Sequence, residues 1–126
     1  MFLNDLYTIK EVLRDTNGID LSVIIQLNPL HRIFAGHFPG KPVLPGVCVV
    51  QILKELLTEC LGRELILREA GTIKYLSFIN PVTNTYLRFD MNLREKGSPD
   101  FSCDVSLNYD SVVFSRFKGE FKVLNM

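Results

Sequence analysis

The clearest pattern of apolar positions lies between Pro45 and Gly62, where they recur at the spacing of a helix with a very wide apolar face. These positions are Val47, Val49, Val50, Ile52, Leu53, Leu56, Leu57, Cys60 and Leu61. A proline and glycine suit the first turn of a helix, and a glycine after the last apolar residue suits a left-handed stop. The pattern therefore predicts a mostly buried helix of about 15 residues.

The last third of the chain alternates apolar and polar residues with a period of two. This alternation covers residues 87–93, 101–109 and 113–123, with turns expected at residues 96–99 and at Asp110-Ser111. Such a pattern predicts strands that are buried on one side and face solvent on the other.

Further strands are predicted on either side of the central helix. Residues 19–28 are rich in β-branched side chains and end at Pro29, which favours a strand. After the helix, residues 64–68 are expected to be extended, and residues 72–78 alternate as a strand does.

Near the start of the chain, residues 5–15 carry apolar side chains at helical spacing, which predicts a short amphipathic helix on an outer surface. The predicted order is then helix, strand, loop, buried helix and four strands. This order favours an α+β fold in which an antiparallel sheet curls round one helix. We expect one domain over residues 1–126. We also expect a homodimer or larger assembly, because a second copy commonly covers free sheet edges.

Composition excludes several classes of function. Lysine plus arginine and aspartate plus glutamate both number 14, so the formal net charge is zero, and binding to nucleic acid or to an anionic membrane has no support. The apolar runs are too short for a membrane span, and the first residues include acids, so a cytoplasmic protein is expected. The three cysteines lack metal-ligand spacing and are interpreted as structural thiols.

The segment that leads into the central helix resembles a known signature. Residues 37–47, HFPGKPVLPGV, resemble the signature of the 3-hydroxyacyl-carrier-protein dehydratases of the hotdog fold. Residues 33–36 are similar to that family's approach to its histidine, and residues 73–82 to the strand that follows its helix. The likeness covers residues 20–95, with the last two strands compatible with it.

The resemblance implies a helix wrapped by an antiparallel sheet, and a dimer with two active sites at its interface. It implies a fatty-acyl chain delivered on the phosphopantetheine arm of an acyl carrier protein, and neither a metal nor a bound redox cofactor. In the family the loop histidine, here His37, takes the α-proton, and a carboxylate at position 51 of the partner subunit protonates the departing hydroxyl. A backbone N–H at the start of the helix polarises the thioester carbonyl. The implied substrate-binding residues are Gly46, Val47, Phe38 and Phe78.

Elementary chemistry agrees with two of these roles. A histidine accepts a proton at modest cost near neutral pH, and a loop rich in proline and glycine is a reasonable way to fix its ring. The start of a helix offers free N–H groups and partial positive charge where an enolate oxygen would develop. His37 is therefore the candidate base, whereas His31 lies outside the signature and is interpreted as structural.

Position 51 departs from the family pattern, because it holds Gln51 in place of an acid. An amide has no proton to give near pH 7, and losing a general acid costs about 10²- to 10⁴-fold in rate. Glu55 lies one helical turn farther on the same face and could replace the missing acid. The favoured interpretation of Glu55 is nevertheless a solvated helix face beside Lys54.

Three functions stay open at this point. The first is dehydration of 3-hydroxyacyl chains on acyl carrier protein to trans-2-enoyl thioesters, with His37 as base and Gln51 or Glu55 handling the hydroxyl. The second is a non-catalytic acyl-binding subunit or heterodimer partner of an active dehydratase, which Gln51 favours. The third is a hotdog thioesterase, to which Gln51 gives no advantage.

Two features of substrate binding are also predicted. An acyl chain is expected in a narrow apolar tunnel, either between the helix and the sheet or along the dimer seam. An acidic carrier protein is expected to contact a basic patch at the tunnel mouth, for which Arg32, Lys41 and Lys74 are the candidates.

Overall fold

The computed structural model describes residues 5–15, 20–35, 42–95 and 100–124. These residues form six strands, one α-helix and one short 3₁₀-helix. The elements are β1 (Tyr7–Arg14), β2 (Asp20–Leu27), a 3₁₀-helix (Arg32–Phe34), α1 (Gly46–Leu61), β3 (Leu65–Tyr75), β4 (Tyr86–Glu95), β5 (Asp100–Tyr109) and β6 (Val112–Val123).

The six strands form one antiparallel sheet in the order β1-β2-β4-β5-β6-β3. Alternate residues of β2 are buried, and so are alternate residues of β5, because one face of the sheet packs against α1. The predicted α+β arrangement is therefore confirmed as one helix against a curled antiparallel sheet. The strands β1 and β3 stand at the two ends of this order, so they form the edges of the sheet.

The central helix begins and ends where the sequence predicts. It starts at Gly46, and Gly62 follows its last residue with φ of 66°, in the left-handed region. The Gly62 N–H donates to the Thr58 carbonyl at 2.8 Å, which satisfies one of the last free carbonyls of the helix. Most of its apolar side chains are buried, with Ile52, Leu56 and Leu57 fully enclosed.

The helix predicted for residues 5–15 is wrong, because Tyr7–Arg14 is an edge strand paired with β2. A β-bulge between Ile9 and Glu11 explains the error. Ile9 pairs with Ile25 and Val12 pairs with Val23, so both lie on the same face although they are three residues apart. The extra residue of a bulge thus produces a spacing that imitates a helix.

The stretches predicted at 64–68 and 72–78 form the single strand β3, with register irregularities between Leu67 and Glu69 and between Ala70 and Thr72. The turn predicted at Asp110-Ser111 is confirmed, because both residues adopt positive φ between β5 and β6. The turn predicted at 96–99 lies outside the described residues. No helix in the described part of the chain is long and apolar enough to cross a membrane.

Candidate active site

The start of α1 presents free N–H groups. The N–H groups of Cys48 and Val49 both point back to the Pro45 carbonyl, at 3.0 and 3.4 Å. The N–H groups of the residues before them, Gly46 and Val47, have no acceptor within the helix, as at every helix start. With the helix dipole, these groups form an electropositive end suited to a developing oxyanion.

Tyr75, the last residue of β3, lies against this helix start. A Cβ atom at position 46 would stand 2.7 Å from Tyr75 Cζ and 2.9 Å from the Tyr75 hydroxyl oxygen. Glycine at 46 therefore lets the ring approach the backbone at the point where the resemblance places the thioester carbonyl. The sequence did not reveal Tyr75 as a site residue, because its contact with Gly46 depends on how β3 packs against α1.

A buried carboxylate lies one helical turn beyond Gln51. Glu55 is only 7% exposed, and each of its carboxylate oxygens accepts a hydrogen bond. The Tyr7 hydroxyl donates to Oε1 at 2.8 Å, and the Gln51 side-chain amide donates to Oε2 at 3.0 Å. The interpretation of Glu55 as a solvated helix face is therefore wrong. The Tyr7 side chain reaches the carboxylate from the start of β1, so Glu55 is buried and hydrogen-bonded to protein groups in place of water.

The Tyr7 hydroxyl stays protonated and so remains a hydrogen-bond donor to Glu55. Burial raises the pKa of its phenol well above the usual value, and the hydrogen bond to Glu55 and the charges of Glu55 and Glu59 raise it further. The hydroxyl therefore keeps its proton at neutral pH. Tyr7 was missed from the sequence because the predicted helix placed residues 5–15 on an outer surface, far from the central helix.

Of the other predicted site residues, some lie outside the described part of the chain and two are exposed on its surface. His37, Phe38 and Lys41 lie outside the described residues. Val47 and Phe78 are 74% and 82% exposed in the single subunit, so neither packs into its core. Both remain free for contact with a substrate or a second subunit.

The predicted carrier-protein residues that are described lie on different elements. Arg32 is exposed on the 3₁₀-helix. Lys74 pairs in register with Arg116 of β6, while its neighbour Ile73 faces α1. Lys74 and Arg116 therefore lie on the sheet face turned away from the helix. They line a broad groove there of about 870 Å³, together with Lys118 and with acidic residues of other strands.

The space between α1 and the sheet does not form the predicted tunnel within the described residues. A cavity there, bordered by Val50, Leu53 and Phe117 among others, has a volume of about 10 Å³. That is near the space of one water molecule and far below the volume of an acyl chain. Close packing of the apolar helix face on the inward strand residues fills this region. The other predicted route, along a dimer seam, stays a prediction.

The surroundings of His31 and of the three cysteines suit structural roles. His31 caps the 3₁₀-helix, with its Nδ1 accepting the Ile33 N–H at 3.1 Å, as a structural role requires. Cys48, Cys60 and Cys103 are all buried, and burial raises the pKa of each thiol, for Cys103 to about 12. A thiol that stays protonated is a poor nucleophile at neutral pH.

Sequence comparison relates the chain to known dehydratases. A family model described as ApeI-like, ApeI dehydratase, matches residues 13–115. The 3-hydroxyacyl-[acyl-carrier-protein] dehydratase FabZ of Wolbachia pipientis wMel is 30% identical over 111 residues, which span 82% of this chain and 78% of that protein. FabZ of Rickettsia felis is 26% identical over 97 residues, spanning 71% of this chain and 67% of that protein.

Solved structures agree on the fold. A chain of the dehydratase heterocomplex ApeI:P from Xenorhabdus doucetiae matches with a TM-score of 0.68 at 20% identity, covering 91% of this chain and 98% of its own. A putative thioesterase, yhdA of Lactococcus lactis, matches with a TM-score of 0.69 at 10% identity, covering 98% and 96%. At these identities the likeness shows the hotdog fold alone. Together with the family model and the FabZ relatives, it shows that the chain belongs to the ApeI-like family of hotdog dehydratases.

Proposed function

We propose that the protein removes water from 3-hydroxyacyl chains held as thioesters on acyl carrier protein and releases trans-2-enoyl thioesters. The observation that carries this proposal is the contact between Gln51 Nε2 and Glu55 Oε2 at 3.0 Å. The family pattern needs a carboxylate at position 51, and here a buried carboxylate touches the side chain at that position. In this proposal Glu55, one helical turn farther along, takes the place of that acid.

The reaction divides among four groups. His37 takes the proton from the α-carbon, and the N–H groups at the start of α1 stabilise the enolate oxygen that forms. The carbon–oxygen bond at the β-carbon then breaks, the double bond forms, and the hydroxyl leaves as water with a proton from Glu55. Gln51 contacts Glu55 through one end of its side-chain amide, so the other end of the amide is left to hold the substrate hydroxyl.

The partner in this proposal is an acidic carrier protein, and the names of the FabZ relatives support it. Lys74 and Arg116 are adjacent cations on the outer sheet face and join Arg32 and Lys41 as candidates, although their groove also carries Asp20, Asp90 and Asp104. A basic surface favours encounter with an acidic partner more than it favours the chemical step. Turnover of a free pantetheine thioester, compared with that of the carrier-bound form, measures this contribution.

Mass spectrometry of the purified protein with 3-hydroxyacyl carrier substrates of several chain lengths tests the reaction. We expect loss of one water per acyl chain, no turnover by His37→Ala, and a 10²- to 10⁴-fold lower rate for Glu55→Gln, about the range of general acid–base groups. Glu11→Gln is the matched control, because Glu11 is an exposed glutamate on β1. No dehydration, alone or with a second hotdog subunit, would contradict the proposal.

A second candidate function is that of a non-catalytic partner of an active dehydratase. Gln51 favours it, and so does the heterocomplex found among the structural neighbours. Under this alternative the purified chain turns over no substrate, and Glu55→Gln leaves the rate of the mixed complex unchanged. Because the dehydratase proposal requires a large effect of Glu55→Gln, the same variant separates the two functions.

A further inference from the structure

We propose that Tyr7 is a positioning residue that holds Oε1 of Glu55 as a hydrogen-bond acceptor, so that the reacting proton is carried on Oε2, beside Gln51. This inference rests on the proposed dehydration. It assigns a role in the site to a residue of β1, an element that the family signature in the loop and helix does not include.

The geometry gives the two carboxylate oxygens different neighbours. Oε1 faces β1, where the Tyr7 hydroxyl donates at 2.8 Å, and Oε2 faces position 51, where the Gln51 amide donates at 3.0 Å. Only the second oxygen borders the position where the family places its proton donor. A proton on Oε1 would lie on the side of the carboxyl away from that position.

Hydrogen bonding makes Oε2 the better place for the proton. A proton on Oε1 would force the Tyr7 hydroxyl to turn away and leave its own hydrogen, in a part-buried position, without this acceptor. Gln51 behaves differently, because its amide carries both donors and an acceptor. After a rotation of the amide, the Gln51 oxygen accepts from a protonated Oε2, and the amide hydrogens turn towards the substrate hydroxyl, whose oxygen accepts from them.

The backbone around Tyr7 is held firmly enough for this task. The residue before it, Leu6, accepts the Asn28 N–H at 2.7 Å and is fully buried. Asn28 also donates through its side chain to the Asp5 carbonyl at 2.9 Å. Tyr7 itself pairs with Leu27 of β2. These contacts fix the phenol relative to the sheet and, through Glu55, to the helix.

The experiment compares Tyr7→Phe in the natural protein and in the Glu55→Gln background, using carrier-bound 3-hydroxyacyl substrate. Loss of the phenol hydroxyl should lower kcat by about 10- to 100-fold, the scale of a misplaced catalytic group, and leave KM within about twofold. Because Tyr7 acts through Glu55, adding Tyr7→Phe to Glu55→Gln should change kcat by less than about twofold. Tyr109→Phe is the matched control, since Tyr109 is half-buried and stacks on Tyr86 of the sheet.

Each result decides the inference. Equal losses of kcat in the two backgrounds, or an unchanged kcat in Tyr7→Phe, would overturn it while the dehydratase proposal stands. Failure of the natural protein to turn over substrate would overturn both. A loss in Tyr7→Phe that Tyr109→Phe reproduces would assign the effect to general destabilisation, and thermal unfolding of both variants measures that contribution directly.

Discussion

At the scale of single residues, Gln51 and Glu55 depend on each other. Burying a carboxylate is costly unless donors face it, and Glu55 has a donor on each oxygen. Removing either donor leaves a buried oxygen unsatisfied, at a cost of about 1–3 kcal/mol. The amide at position 51 is therefore part of what keeps a carboxylate inside the site.

Replacing Gln51 by glutamate tests whether Glu55 already supplies the proton. The new carboxyl would stand where the amide nitrogen now lies 3.0 Å from Glu55, and two carboxyls that close share a proton because both cannot be ionised. If Glu55 is the proton donor, as proposed, kcat on carrier-bound substrate should stay within about tenfold of the natural value, whereas a gain of about 10²- to 10⁴-fold would mean that the natural protein lacks a general acid. Gln51→Met, of similar length but unable to give a proton, is the control. A Gln51→Glu rate equal to that of the natural protein would indicate that Glu55 already supplies the proton fully.

Cys103 should make the folded state less stable at alkaline pH. Its thiol pKa is raised in the folded protein from 9.0 to about 12, mainly by burial, so ionisation favours the unfolded chain. The stabilising effect is complete below pH 9 and is lost as the pH rises towards 12. At about pH 10.5 the loss is about 2 kcal/mol, from 1.36 kcal/mol per pH unit above 9.

Urea unfolding of the natural protein and of Cys103→Ala, each at pH 8 and at pH 10.5, checks this effect. Tyrosines and lysines titrate in both proteins, so the difference between their pH dependences isolates the thiol. Cys103→Ala should lose less stability between the two pH values, although it is less stable at both because of the cavity it creates. An equal loss of unfolding free energy between pH 8 and pH 10.5 in both proteins would show that the thiol does not ionise on unfolding.

At the scale of elements, the sequence predicts most of the fold because local periodicity decides it. The apolar helix face between Pro45 and Gly62 and the alternation of β4, β5 and β6 are all visible in the chain and confirmed in the structure. Strand β1 was not predicted, because the bulge after Ile9 interrupts the alternation of apolar and polar residues with a period of two. No pattern within residues 5–15 distinguishes a bulged strand from a helix. Pairing with β2 makes that distinction.

The site is less predictable than the fold, because its contacts join elements that are distant in sequence. Gly46 was identified through its signature, whereas the ring of Tyr75 against it was not. Glu55 was placed on the correct helix but assigned to solvent, because its partner Tyr7 lies 48 residues earlier and belonged to an element predicted wrongly. An error in one edge strand thus concealed the burial of the carboxylate.

At the scale of the whole molecule, the two edges of the sheet differ. Most residues of β1 are exposed, and its last residues line a groove that also carries charged residues of other strands. The edge at β3 leads into an apolar surface where Tyr75 and Leu76 are about half exposed and Phe78 is 82% exposed. A free strand edge beside exposed apolar side chains is a typical site of association. We therefore expect the predicted two-fold dimer to form along β3, next to the start of α1.

Leu76→Glu should weaken this dimer, and Leu13→Glu should not. The two leucines are 55% and 56% exposed, but Leu76 follows β3 and Leu13 lies on β1 at the opposite edge. A buried unpaired carboxylate at the seam should raise the dissociation constant at least about tenfold, which corresponds to about 1.4 kcal/mol. Light scattering at micromolar concentration should find a dimer for the natural protein and for Leu13→Glu, and monomer for Leu76→Glu. Turnover should fall with the dimer fraction, because the family places each site at the interface. A monomeric natural protein, or equal effects of the two substitutions, would contradict association along β3.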